Sequence, residues 1–224
     1  MSHTLDRLRR IAALSLLLPL SALAADADTW RLDPVHTRVM FAISHAGFSN
    51  AIGTVSGSTG TLVFDPEDWT SASLKASVPI ARVDLGNAKW NEATLAGNLL
   101  DAKDHPTAEF VSTGIEPLAA DRARVHGTLT LRGVSQPVTL DVKLNAIKRH
   151  PLPPFRRTVG FSATTTLSRK AFGIDAWSSV IGDSVELRIE AEAVRQGGKA
   201  DDADERATEG ASERATDPAP PASS

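Results

Sequence analysis

The sequence predicts an all-β fold, an antiparallel barrel or sandwich of about eight strands with one short helical insert. Three observations carry this. Residues 127–145 hold two runs of strict alternation, Leu129 and Leu131 against Thr128, Thr130 and Arg132, then Val138, Leu140, Val142 and Leu144 against Thr139, Asp141, Lys143 and Asn145. A period of two means a strand with one dry and one wet face, and the short connection at residues 133–137 makes the pair a hairpin. The same period recurs through most of the chain, and it lapses over one long stretch, residues 87–104.

Taken in order, Trp30 opens the domain and Asp33-Pro34 breaks a first short extended piece. Val39, Phe41 and Ile43 then alternate with Arg38, Met40, Ala42 and Ser44, and Gly47 ends the strand. Residues 53–64 are rich in Gly, Ser and Thr and predict a bent or bulged strand pair. Leu74, Ala76, Val78 and Ile80 form the next dry face. In residues 87–104, Asn91, Leu95, Asn98 and Leu99 fit helical spacing, and the helix should stop before His105-Pro106. Such an insert between barrel strands can cap one mouth. Strands resume at 109–112, 124–131 and 138–145, and residues 151–157 form a basic, proline-rich loop. Residues 158–167 turn Val159, Phe161, Ala163 and Thr165 to one side. In 184–193, Val185, Leu187, Ile189 and Ala191 face in and Glu186, Arg188, Glu190 and Glu192 face out.

The two ends read differently. Residues 1–24 combine Arg7, Arg9 and Arg10 with a short apolar run and an Ala22-Leu23-Ala24 cleavage site, the pattern of a secretory signal peptide. Residues 197–224 hold seven acids and three bases and no large apolar residue, so they are expected to stay disordered. The domain between them, 25–196, is long enough for one substantial core. It carries a net charge of −1, which gives no electrostatic case for nucleic acid. No later stretch is apolar enough to span a membrane as a helix. The absence of cysteine rules out disulfides, thiolate metal sites and cysteine nucleophiles.

Chemistry-bearing residues are sparse. His36 and His45 are nine apart, an odd spacing that puts them on opposite faces of a continuous strand. They read as histidines tying strand ends by hydrogen bonds, with no metal site expected. Ser44, His45 and Asp33 could be assembled into a hydrolytic triad on paper, but no Gly-x-Ser-x-Gly elbow is present. Glu186, Glu190 and Glu192 share the wet face with Arg188 and are not an acid–base pair. No catalytic set is expected. Arg169, Phe172, Ile174 and Trp177, around Gly173, form either an exposed mouth or a packed corner. Trp90, Leu95, Leu99 and Leu100 carry the same two readings. Phe41, Ile43, Leu129, Leu131, Leu140, Val142, Phe161 and Leu187 are expected to face the interior. Alternation alone leaves open whether side chains or a ligand fill that interior.

The chain resembles the YceI family of exported, lipocalin-like proteins. The matching residues are Leu32-Asp33-x-x-His36-Thr37-x-Val39-x-Phe41, Ile43-Ser44-His45, Gly53-x-Val55-x-Gly57, Gly127-x-Leu129-Thr130-Leu131-x-Gly133-Val134 and Pro137-Val138-x-Leu140. Leu167-Ser168-Arg169-Lys170-x-Phe172-Gly173-Ile174 and Gly182-Asp183-x-Val185 continue the series. The family's Arg-Asp-x-His-Leu segment is replaced by Trp90-Asn91-Glu92-Ala93-Thr94-Leu95, and Leu99-Leu100 stand where Phe is common. The resemblance implies an eight-stranded antiparallel lipocalin-like barrel whose long apolar pocket binds polyisoprenoids or other long-chain amphiphiles, with no other cofactor. It implies a periplasmic location. The eight interior residues would then contact the ligand, and the two mouth groups would rim the opening. The competing expectation is a filled barrel that acts as an interaction module for an envelope protein such as a membrane redox partner.

Overall fold

The computed structural model describes residues 27–197. The expected signal peptide and, apart from Gly197, the expected acidic tail lie outside the described residues. The strands are β1 (Asp28–Leu32), β2 (Arg38–His45), β3 (Ser49–Ser56), β4 (Thr59–Asp65), β5 (Asp68–Pro79) and β6 (Val83–Asp84). After helix α1 (Ala88–Leu95) come β7 (Thr107–Ala119), β8 (Arg122–Leu131), β9 (Val134–Arg149), β10 (Arg157–Ser168) and β11 (Ile181–Arg195). Every ladder is antiparallel. The ring β1-β4-β5-β7-β8-β9-β10-β11 closes on itself where Trp30 meets Arg195 and Leu32 meets Ala193.

Eight strands close the barrel, yet there are eleven segments, because two long strands are interrupted and the short β6 adds to the edge of β3. β1 and β2 both run along β11, separated by the 33–37 turn; β3 and β4 are separated at Gly57-Ser58. The turn is held by Asp33, whose carboxylate accepts from the Val35 N–H at 2.8 Å and contacts His36 Nδ1 at 2.7 Å. As a result β3 does not pair with β5. β3 pairs instead with the two residues of β6.

The 127–145 hairpin turns earlier than its alternation predicts. Arg132 and Gly133 form a two-residue turn with φ of 51° and 73°, as tight hairpins require. Pro137 therefore lies within β9, opposite Thr128. The β9–β10 ladder runs only over residues 141–149, so the missing N–H falls where β9 has no β10 partner. β7 is much longer than the expected 109–112. Register shifts at Ser112/Gly114 and Pro117/Ala119 absorb the residues that spoil its alternation.

Helix α1 is shorter than the apolar pattern of 87–104 predicts. Asn87 caps it, its side chain accepting from the N–H groups of Lys89 and Trp90. Ala96 leaves helical geometry at ψ 160°, and Gly97 follows. The remainder folds back in turns, with Leu100 N–H donating to Thr94 O at 3.0 Å and His105 N–H to Asp101 O at 2.8 Å. This 80–106 connection crosses one end of the barrel between β5 and β7.

Candidate functional site

The two ends of the barrel interior are built from different residues. At the β1 end, Trp30, Phe64, Trp69, Val159 and Ala193 are buried in one cluster. Phe64 meets Trp69 edge-on at 5.0 Å and Phe161 edge-on at 5.4 Å, favoured geometries for aromatic rings. The Trp30 indole N–H donates to Phe64 O at 3.3 Å. This end is plugged.

Above the plug lies a cavity of about 680 Å³. Well-packed interiors hold few voids larger than a water, whereas ligand pockets run to ~300–1,000 Å³. The filled-barrel expectation thus describes the plugged end only. The volume has a visible cause: Ala51, Ala72, Ala76, Ala108, Ala163 and Ala191 all line it, so many inward positions carry one methyl group. Glycines shape it further. A Cβ on Gly53 would fall 2.3 Å from the Phe41 ring, and one on Gly127 would fall 2.3 Å from the Phe110 ring. The tip of each ring occupies the space that a side chain on the neighbouring strand's glycine would need.

All eight expected interior residues, Phe41, Ile43, Leu129, Leu131, Leu140, Val142, Phe161 and Leu187, line this cavity. Phe161 has two roles, since it faces the cavity and packs on the plug. The lining contains no Asp, Glu or Lys, and its sole formal charge is Arg169. Ser58 Oγ and Trp69 Nε1, both on lining residues, are buried without a hydrogen-bond partner.

The mouth is built from the β2–β3 turn, α1 with its following turns, and the 169–181 loop. Of the expected mouth residues, Trp90, Leu99, Leu100, Arg169, Phe172, Ile174 and Trp177 line the cavity, and Leu95 does not. Phe172 and Ile174 are not exposed. They are buried with Phe110, Val138 and Leu140, the packed-corner alternative, because a 3₁₀ turn at Lys170–Phe172 and the left-handed Gly173 fold the chain inward. Trp177 is 62% exposed. Trp90 sits against His45 with ring centroids 5.3 Å apart.

Two arginines fix these elements. Arg169 is buried and donates through Nε to Gly182 O at 2.7 Å, and through its terminal nitrogens to the carbonyls of Ile174, Ala176 and Ile181 at 2.8–2.9 Å. The guanidinium is thus a brace for the loop that presents Trp177 and Val180. Arg132 donates to Gly173 O at 2.7 Å and Gly97 O at 2.9 Å, tying the loop to the turns after α1.

Other polar candidates do not converge. Asp33 contacts His36; burial opposes its carboxylate, but hydrogen bonds from His36 and two backbone N–H groups hold its pKa below the ordinary value. His36 is raised, chiefly by its bond to Asp33. Ser44 and His45 are neighbours at the mouth, and Asp33 is committed to the distant turn. Glu190 accepts from Ser162 and Arg188 on the outer wall. Among the described residues no three His, Asp or Glu side chains come together as a metal site, and no helix is long and apolar enough to cross a membrane. The plug residues Phe64 and Trp69 and the lining residue Phe110 are missing from the sequence-based interior set. Their one signal was being large aromatics in a chain with 5% aromatic residues.

Known proteins match the chain in sequence and in fold. A UPF0312 protein of Azotobacter vinelandii is 32% identical over 161 residues, 72% of this chain and 83% of the relative. One from Shewanella sp. (strain ANA-3) is 30% identical over 182 residues, 81% and 94% of the two chains. Burkholderia cenocepacia BcnA superposes with a TM-score of 0.64 at 24% identity, covering 72% of this chain and 98% of that one. A domain from Saccharophagus degradans described as polyisoprenoid-binding superposes at 0.54 with 14% identity, covering 76% and 99%. The YceI-like domain model matches residues 30–193, the closed barrel from Trp30 on β1 to Ala193 on β11, and the chain belongs to the YceI-like family.

Proposed function

We propose that this protein is a non-catalytic binding protein that carries or stores a polyisoprenoid or similar long-chain amphiphile inside the barrel, in the periplasm. The observation that carries the reading is the cavity of about 680 Å³ whose lining has no Asp, Glu or Lys. Such a space favours apolar chains and offers no acid–base pair for catalysis. Magnitudes select a long chain. Burial contributes about 0.8 kcal/mol per methylene, so a four-carbon ligand gains about 3 kcal/mol, below the ~4–15 kcal/mol that association costs. A chain of fifteen or more carbons gains about 12 kcal/mol and can bind. The description of the Saccharophagus degradans domain agrees with this chemistry. The periplasmic part rests on the basic start, apolar run and Ala22-Leu23-Ala24 of the sequence, and predicts a mature protein beginning at Ala25.

The test is organic extraction and mass spectrometry of purified protein, followed by chemical unfolding of delipidated and reloaded samples. A hundredfold excess of a C15–C40 polyprenol over its dissociation constant should raise stability by about 2.7 kcal/mol. No extracted lipid and no midpoint shift across that series would sink the reading.

A further inference from the structure

The β2–β3 turn and residues 176–182 give the cavity opening an apolar outer surface, and α1 adds Trp90 between the exposed Lys89 and Glu92. Phe48, at the tip of the β2–β3 turn, is 93% exposed. Trp177, Val180 and Trp90 are exposed around the same opening, and Ala46 N–H donates to Val180 O at 2.6 Å, joining the hairpin to the loop. The outer face of the hairpin continues this surface through Met40 and Ile52, both exposed. From Val39 to Phe64 the chain contains no Asp, Glu, Lys or Arg, and neither does the stretch 176–182, in a sequence that is 23% charged.

Holding this surface in place has a cost. Trp177 adopts φ of 58°, an uncommon conformation for a bulky side chain. It is retained by N–H donations from Val180 and Ile181 to Trp177 O, both at 2.8 Å, and by the Arg169 brace. Strain that the surroundings over-determine, at an exposed aromatic residue, points to function.

We infer that this rim docks on a lipid bilayer, with Phe48 and Trp177 entering the headgroup–acyl boundary. The inference rests on the proposal that the cavity holds a long-chain amphiphile, whose source and destination are then membranes. Continuity argues for it, because Trp90, Trp177 and Val180 belong to both the outer rim and the cavity lining. A docked rim gives the chain an unbroken apolar path. The uncharged composition of the hairpin and of residues 176–182 argues for a bilayer over a protein partner. Protein interfaces carry a polar rim, while Trp at a membrane surface places an amphipathic ring at headgroup level.

The test is flotation with uncharged phosphatidylcholine vesicles, with farnesol binding in vesicle-free buffer measured separately. Wild-type protein should float. Phe48→Glu should float about tenfold less, with its melting temperature and farnesol affinity unchanged. Leu152→Glu, an exposed apolar position at the plugged end, should float like wild type. Failure of wild type to float while it binds farnesol overturns docking and leaves the cavity reading intact. Flotation without farnesol binding supports docking and counts against the cavity reading for fifteen-carbon chains. Equal losses in the two variants, or flotation only with vesicles that contain membrane proteins, overturn the inference.

Discussion

The plugged end and the open end of one barrel are made from the same β11 strand, and they use it differently. At the plugged end Ala193 lies beneath Trp30 and Val159, all three fully buried, and aromatic edges interlock. At the open end Val185 and Leu187 face a cavity, and arginines that grip carbonyl oxygens fix the rim beside the buried Phe172 and Ile174. The lesson is a division of labour. Dispersion and apolar burial hold one end closed, and at the other end hydrogen bonds add to apolar packing to fix a rim around a space left unfilled.

The largest expected effect breaks the closed end. Trp30→Ala should lower stability by about 3–5 kcal/mol in chemical unfolding, with or without ligand. An equal loss from Leu187→Ala, at the open end, would erase the distinction. Next comes the brace. Arg169→Lys keeps the charge but cannot reach four carbonyls, and should lower stability by about 2–4 kcal/mol while making Trp177 fluorescence report a mobile loop. An unchanged midpoint would mean the loop is held by other contacts.

Gly53→Ala sharpens the comparison by changing shape more than stability. Its methyl would push the Phe41 ring into the cavity, so polyprenol affinity should fall about tenfold, with a stability change of ~1–3 kcal/mol. Affinity equal to wild type would show that Phe41 has room to move aside.

The smallest effect sits at the seam between the ends. The folded-state pKa of His36 is raised from 6.5, so its contribution is complete below that value and is lost as pH rises through the folded pKa. Asp33 is lowered from 3.8, so its contribution is present above that value and is lost as pH falls through the folded pKa. His36→Gln should flatten the decline above pH 6.5 by no more than about 0.5 kcal/mol, since the pair is solvent-screened. A larger change in a pH series of unfolding curves would place the turn among the major supports.

The sequence made the walls legible and the ends obscure. Alternation placed Phe41, Leu129, Leu140 and Leu187 on the inner face because pleat and period coincide. It missed Trp69, which stands alone among Glu67, Asp68, Thr70 and Ser71 and is buried only because the β4–β5 turn tips it onto Phe64. For Phe172 and Ile174 the sequence left an exposed mouth and a packed corner both open, because their burial depends on Gly173 and a 3₁₀ turn, features without periodicity. The cavity was partly legible after the fact. Repeated inward alanines signal missing volume, but only once register fixes which positions face each other.

The ring closes between the first strand and the last, Trp30 against Arg195. A growing chain can form the hairpins from β7 to β11 one after another, each from neighbours in sequence. It cannot seal the interior until residue 195 is available, whatever else has folded. Closure therefore combines high contact order with a late, all-or-none event, which makes folding slow relative to its local steps. Until then the inner walls, with Phe41, Leu140 and Phe161 among them, stay accessible from the side, so a long chain could be enclosed by folding as well as threaded through the mouth.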